Sequence, residues 1–471
     1  MKPQGQHFLV VIYPGQGHIN PGRSLAKRLA KVPGARVTFS TSISAHCQMF
    51  PSLTSPNQEI SDGPITYIPY SDGYDNGIKW FVDDIHDITE KFNAFGPATL
   101  SSVLDDLAVR GQPVTCIVYG LHMCWVKELA LSRGILSVLY WPQPATVLGI
   151  YYHYFHNYHD LITSHRDDPS FVVNLPHLAP LKICDLPSFF TNFTNEVFNS
   201  ILNMTKLTIE SALKPGKIGD KSLVLINTFE ELESEALKSI EEVEILPIGP
   251  DIPSLFENIK EKTDTCRGSD LFQRDSKDYM EWLSTKQNSS VVYVSFGSVS
   301  SMSKKQMEEM QSGLKASRYP YLWVVRKNNR EEEVVLDEGH DSMVVEWCNQ
   351  VQVLSHPSIG CFVTHCGWNS TLESLACGVP MVAVPQWTDQ DTNARMVVEW
   401  GAGVRGKVNE EGLLKGEVLK SCLETVMGDG ERGMNIRENA KVWGEKARKA
   451  VREGGSSDHN FKVFLEKTTR D

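Results

Sequence analysis

Short apolar runs punctuate the first half of the chain at Phe8–Ile12, Val37–Ser40, Ile65–Ile68, Val114–Tyr119, Leu136–Trp141 and Val224–Asn227. Runs this brief, apolar at consecutive positions, fit strands buried on both faces of a parallel sheet. Amphipathic stretches lie between them. Gly15-Gln-Gly-His-Ile-Asn20 reads as a turn, and Pro21 suits the first turn of a helix that continues to about Ala30. A longer helix is predicted near Ile85–Leu107. Residues Tyr151 to Pro215 are rich in aromatics, His and Pro, and are read as helices and loops lining a pocket. Strands that alternate with helices give βαβ units, so the fold class is α/β with a largely parallel sheet.

The same alternation restarts after Leu246-Pro-Ile-Gly-Pro-Asp-Ile-Pro253, where three prolines in eight residues mark a linker. The polar stretch Glu257–Lys277 that follows reads as a mobile loop. Strands are then predicted at Val291–Ser295, Tyr321–Val325, Gly360–Thr364, Met381–Val384 and Val404–Lys407, with a turn at Phe296-Gly297-Ser298. Helices are predicted near Leu414–Met427 and Asn435–Glu453. A break at Gly454-Gly455-Ser456-Ser457 precedes a short amphipathic tail, Phe461–Leu465. The expected division is 1–245, a linker over 246–258, a second domain over 259–452, and a tail over 453–471.

With 471 residues the chain can bury two domain cores. A net charge of −12 argues against nucleic acid or an anionic membrane as partner. Cysteines such as Cys116, Cys361 and Cys377 sit in apolar runs, as reduced core cysteines do. Phe8–Ile12 is too short for a signal-peptide core, and no apolar run is long enough to span a bilayer. The expected state is a cytoplasmic monomer without membrane insertion.

Residues Trp347–Gln390 carry the densest candidate chemistry. A buried strand, Gly360–Thr364, breaks at His365-Cys366-Gly367. A helix then opens with Asn369 or Ser370 as expected N-cap, and a second strand follows the turn at Gly378-Val379-Pro380. The loop therefore lies at the carboxyl end of a strand, where open α/β sheets bind ligands. The helix N-terminus suits a phosphate. His365, Asn369 and Ser370 add donors there, Glu373 can accept from ribose hydroxyls, and Trp347 offers a flat face to a base.

This segment, with its HCGWNS core, Glu373 and the closing Asp389-Gln390 pair, resembles the donor-binding signature of plant family 1 UDP-sugar glycosyltransferases. WPQPATV at 141–147 and PQWTDQ at 385–390 are similar to the branch containing anthocyanin 5-O-glucosyltransferases and carboxylic-acid (auxin, crocetin) glucosyltransferases. The resemblance implies a GT-B fold, two Rossmann-like domains facing across a cleft, with the last helix crossing back to the first lobe. It implies an inverting transfer of glucose from UDP-glucose, as co-substrate, to a small plant phenol or carboxylic acid, with no cofactor and no metal. The donor residues it implies are Ser298, Trp347, Cys348, Gln350, His365, Gly367, Trp368, Asn369, Ser370, Glu373, Asp389 and Gln390. The last two fall on the sugar hydroxyls, and Gln390 goes with glucose.

His18, in the Gly-His-Ile-Asn-Pro context the family uses for its base, is the expected general base. The family's usual Asp partner falls at Gly120. Three accounts of that departure stay open: an acidic acceptor that needs little deprotonation, a substitute such as His122, or C-glucosylation. Gly17, His122, Trp141, Gln143 and Trp387 are expected around the acceptor. His153, His156 and His159 either line that pocket or face solvent. Other classes stand beside this reading: a nicotinamide oxidoreductase, against which Asn20 replaces the third fingerprint glycine, and an inactive sugar-nucleotide binder. Cys361, His365 and Cys366 as zinc ligands lack a second ligand pair.

Overall fold

The computed structural model describes residues 5–78, 83–191, 195–215, 221–252, 278–297, 302–326 and 341–469. The chain forms two compact units. The first takes the described chain up to Ile183, from Phe189 to Ile252 and from Ala450 onward; the second takes Cys184–Ser188 and the chain from Asp278 to Lys449.

The strands of the first unit are β1 (His7–Val11), β2 (Arg36–Ser40), β3 (Ile60–Asp62), β4 (Ile65–Tyr67), β5 (Cys116–Gly120), β6 (Leu136–Trp141), a small hairpin of β7 (Val172–Val173) and β8 (Leu181–Lys182), β9 (Ser222–Ile226) and β10 (Val243–Pro247). Its main sheet runs β10-β9-β6-β5-β1-β2-β4-β3, parallel except for the β3–β4 pair. β1 and β5 are buried along their whole length, the condition that makes such strands apolar at every position. The second unit holds β11 (Val291–Ser295), β12 (Tyr321–Val324), β13 (Ser342–Val345), β14 (Ile359–Thr364), β15 (Met381–Ala383) and β16 (Gly403–Arg405). These form one parallel sheet in the order β13-β12-β11-β14-β15-β16.

Several local expectations are corrected. The first helix is Gln16–Ala30, and Pro21 lies inside it. The carbonyl of Gly15 already accepts from His18 and Ile19 at 2.9 and 2.8 Å, so the expected turn is the first turn of the helix. Leu246 and Pro247 belong to β10 rather than to a linker, and β13 was not foreseen. The final helix is Ser456–Thr469, longer than the short tail expected. The stretch 257–277, expected to be a mobile loop, lies outside the described residues. Among the described residues, no helix is long and apolar enough to cross a membrane.

The final helix joins the core of the first unit. Phe461 and Phe464 lie among its buried side chains, and the Phe8 and Phe464 rings stand 6.0 Å apart. A buried ion pair pins the neighbouring turn. Arg28 stands 3.5 Å from the fully buried Asp251 carboxylate. Its guanidinium also donates to the carbonyls of Ile248 at 2.6 Å and Ser457 at 2.9 Å, and it lies 4.0 Å from the Phe461 ring. Tyr140 donates to the same carboxylate at 2.7 Å. Burial pushes the Asp251 carboxyl up, against the opposing pull of Arg28 and the Tyr140 hydroxyl. Breaking such a pair strands a charge in the interior. Arg28→Met should therefore lose about 3–5 kcal/mol of unfolding free energy in urea. Adding Asp251→Asn should recover most of that loss; a single variant as stable as the parent would show the pair to be dispensable.

Candidate functional site

In a doubly wound sheet, ligands bind beyond the carboxyl ends of the strands where the strand order reverses. The reversal falls between β1 and β5 in the first unit and between β11 and β14 in the second. Both places carry residues singled out from sequence.

In the first unit, His18 is the third residue of the helix that follows β1, and His122 follows the end of β5. Their ring centroids are 5.6 Å apart, and Tyr13 packs on both, at 5.4 Å from His18 and 5.3 Å from His122. His122 has a left-handed backbone (φ 71°), and its N–H donates to Thr208 Oγ1 at 3.2 Å. Its Nε2 stands 3.0 Å from Thr205 Oγ1, which itself donates to the Ile201 carbonyl at 2.9 Å. The Thr205 proton is thus committed, so Nε2 must carry hydrogen and Nδ1 is a bare acceptor. The Nδ1 atoms of both His18 and His122 are buried without a hydrogen-bond partner among the described residues. Burial drives the His18 imidazole down to about 4. His122 is held well below its ordinary value by burial first and by His18 second.

Gly120 ends β5. A Cβ there would stand 3.2 Å from Ile12 Cδ1, so a larger residue would require the end of the Ile12 side chain to give by a few tenths of an ångström. Gly17 is exposed with open space beside it, and Gln143 has a buried Oε1 with no partner among the described residues. Trp141 corrects the expectation of a pocket residue. It is fully buried in the core, with its indole N–H donating to the Pro144 carbonyl at 3.2 Å. The three spaced histidines separate. His153 is buried against the Pro176 carbonyl at 3.2 Å, whereas His159 is exposed beside Asp160.

In the second unit, the helix after β14 is Trp368–Cys377 with Gly367 as N-cap, which corrects the expected cap at Asn369 or Ser370. Cys366 takes the bend with φ 61°, and its N–H is held by Thr364 Oγ1 at 3.2 Å. The helix can therefore start two or three residues sooner. Thr371 donates to the Gly367 carbonyl at 3.0 Å, and the N–H groups of a helix's first turn ahead of that bond have no acceptor within the helix itself. Freed from capping, the Ser370 hydroxyl accepts from Gln350 Nε2 at 2.9 Å, and Glu373 accepts from the same nitrogen at 2.7 Å. Tyr293 donates to Gln350 Oε1 at 3.2 Å and contacts Cys348 Sγ at 3.3 Å. Trp347 is only 7 % exposed, which leaves little of its face for a base.

His365 is wedged at the reversal. A Cβ on Gly297 would stand 2.5 Å, and one on Gly367 2.6 Å, from its Nε2. Burial first and the Arg326 charge second hold His365 at about 4, against a backbone hydrogen bond with Ser295. Near neutral pH the ring is uncharged. Asp389 and Gln390 are buried. Gln390 Oε1 accepts from the N–H groups of Gln386 at 2.9 Å and Trp387 at 3.2 Å, which turns its NH₂ away from that loop. Asn393 donates to both the Cys366 carbonyl and the Asp389 carboxylate at 2.8 Å, joining the two halves of the site. Ser298 lies outside the described residues.

Sequence reasoning missed Tyr13, Asn393 and the buried Asp72, whose Oδ2 has no partner among the described residues. For Asn393 a signal existed: it stands four residues after Asp389 on one helix, the spacing at which side chains meet. Among the described residues, no group of three or more His, Cys, Asp or Glu could hold a metal ion. One consequence of the burial is directly measurable. Titration of the ring ¹H–¹³C resonance of His18, assigned by its absence in His18→Gln, should show a midpoint at about 4 and a neutral ring at pH 6.5. A midpoint near the ordinary 6.5 would contradict the enclosed geometry.

Comparison with known proteins agrees with this layout. Residues 143–446 match the family model "UDP-glucoronosyl and UDP-glucosyl transferase". The chain is 43 % identical to the crocetin glucosyltransferase, chloroplastic, of Gardenia jasminoides, over 98 % of this chain and 97 % of that one. It is 45 % identical to the phloretin 4'-O-glucosyltransferase of Malus domestica, over 98 % of each. Among solved structures it is similar to Os79 of O. sativa in complex with UDP, with a TM-score of 0.82 and 30 % identity over 98 % of this chain and all of that one. The two Rossmann-like sheets, each with candidate residues at the reversal of strand order, are those of the GT-B fold, and the chain belongs to the plant family 1 UDP-sugar transferases and is a UDP-glycosyltransferase.

Proposed function

We propose that the enzyme is an inverting UDP-glucose-dependent glucosyltransferase whose acceptors are acidic: phenols and carboxylic acids. In a single displacement the acceptor oxygen forms a bond to the sugar carbon as the bond to the diphosphate oxygen breaks. Any proton still on the acceptor passes to His18. The leaving charge grows in the transition state and calls for fixed donors. The open end of the helix Trp368–Cys377 and the neutral His365 N–H fit that need. The cluster of Gln350, Ser370 and Glu373 fits the ribose, and Asp389 and Gln390 fit the sugar hydroxyls.

The observation that carries the acceptor class is the His18–His122 pair. The ring beside His18 is a neutral imidazole presenting a bare Nδ1, which can orient His18 through a water but brings no negative charge to stabilise an imidazolium. With its conjugate acid at about 4, His18 is a weak base. A carboxylic acid is already ionised at neutral pH, and a phenol of pKa about 10 is far easier to deprotonate than an aliphatic alcohol. The names of relatives that act on crocetin and phloretin support the same classes.

An acceptor screen with UDP-glucose at pH 7.5 should rank carboxylic acids and phenols above aliphatic alcohols. His18→Ala should cost about 10²–10⁴-fold on a phenol and much less on a carboxylate. Equal turnover of alcohols and acids, or equal losses on both, would contradict the proposal. The proposal includes a cytosolic monomer that works without a metal. Turnover should be unchanged by EDTA and by added Mg²⁺; a loss on chelation would show that the helix end is not enough.

A further inference from the structure

Thr388 has a left-handed backbone, φ 60°. A β-branched residue is poorly suited to that region because its Cβ crowds the neighbouring carbonyl, and glycine is the usual occupant. Something must therefore hold it. Ser188 does so from 200 positions away: its Oγ accepts from the Thr388 N–H at 2.8 Å, and its own N–H donates to the Thr388 carbonyl at 2.9 Å. Both backbone polar groups of Thr388 are thus tied to one residue. The Thr388 hydroxyl in turn donates to Asp389 Oδ1 at 2.8 Å.

The holding segment is itself anchored. Cys184–Ser188 belongs to the second unit, although the chain on either side of it belongs to the first. The Asp185 carbonyl accepts from Thr392 Oγ1 at 2.7 Å, and its carboxylate pairs with Arg405 at 3.0 Å and Arg395 at 3.6 Å. Arg405 also pairs with Asp391, so the segment is fixed to the helix Gln390–Glu399 and to the end of β16.

We propose that Ser188 is a positioning residue for sugar recognition: by holding Thr388 in its left-handed conformation it sets where the Asp389 carboxylate and the Gln390 amide are presented. The inference rests on the proposed role of Asp389 and Gln390 at the sugar. Without the Ser188 hydroxyl, the Thr388 N–H loses its acceptor and the backbone is released toward negative φ, which rotates the peptide leading into Asp389. The proposed nucleotide end is a separate cluster in which Gln350 donates to both Ser370 and Glu373. The effect should fall on the sugar and spare the nucleotide.

The test measures UDP affinity by calorimetry and UDP-glucose kinetics for the wild type, Ser188→Ala, Thr388→Gly and the double variant. Ser188→Ala should leave the Kd for UDP within about twofold while kcat/KM for UDP-glucose falls about tenfold and discrimination against UDP-galactose narrows. In the Thr388→Gly background, where glycine takes the conformation unaided, the further loss from Ser188→Ala should shrink to about threefold or less. If Ser188→Ala does not fold, Ser188→Thr against Ser188→Val makes the same comparison at constant shape: Thr should retain donor kinetics and Val should lose them. Parallel losses of UDP and UDP-glucose, no loss at all, or equal behaviour of Thr and Val would overturn the inference. A wild type that neither binds UDP nor turns over UDP-glucose would instead overturn the functional reading on which it rests.

Discussion

One imidazole occupies the space that two missing side chains leave. Any Cβ at Gly297 or Gly367 would fall within 2.6 Å of His365 Nε2, so the His365 ring, the turn after β11 and the start of the helix after β14 can share one place only because both residues are glycine. The rest of the second unit's site depends on that packing. It lets the chain turn at Cys366 and enter the helix at once, with its open end at the point where the strand order reverses. Asn393 ties this turn to Asp389, so the bend at Cys366 and the start of the helix Gln390–Glu399 are parts of one hydrogen-bonded frame.

Electrostatics follow from enclosure. His18, His122 and His365 are all kept neutral by burial, so none contributes a full charge near neutral pH. Positive potential beside His365 then comes from the Arg326 charge and from the helix end, where partial charge is built into the backbone and does not vary with pH. On the first unit the same enclosure has the opposite consequence. A neutral, weakly basic imidazole beside another neutral imidazole is a poor acceptor of protons, which is why the proposed acceptors are those acidic enough to need little deprotonation.

How much of this could be read from sequence depends on the range of each interaction. Strands buried on both faces leave a local signature, so β1, β5, β11 and β14 were legible from runs such as Phe8–Ile12 and Val291–Ser295. β13, a four-residue edge strand, offers only the three-residue apolar run Met343–Val345. The helix after β14 was legible as a helix, but its first residue was not: Asn369 and Ser370 are favourable caps, and only the backbone bend at Cys366 moves the start to Gly367. Trp141 is expected near the acceptor because it opens an aromatic stretch at the end of β6, whereas its indole N–H is satisfied inside the core. The contacts that sequence reasoning could not reach are the distant ones. Ser188 with Thr388, and Arg28 with both Asp251 and Ser457, join positions hundreds of residues apart, and no periodicity encodes them.

The proposed transfer requires the helix Trp368–Cys377 to receive the diphosphate. A crystal structure with UDP bound is the direct measurement. Its phosphate oxygens should lie within hydrogen-bonding distance of the Asn369 and Ser370 N–H groups, beside the His365 ring, with the ribose hydroxyls on Glu373. A diphosphate held elsewhere, away from that helix end, would contradict it.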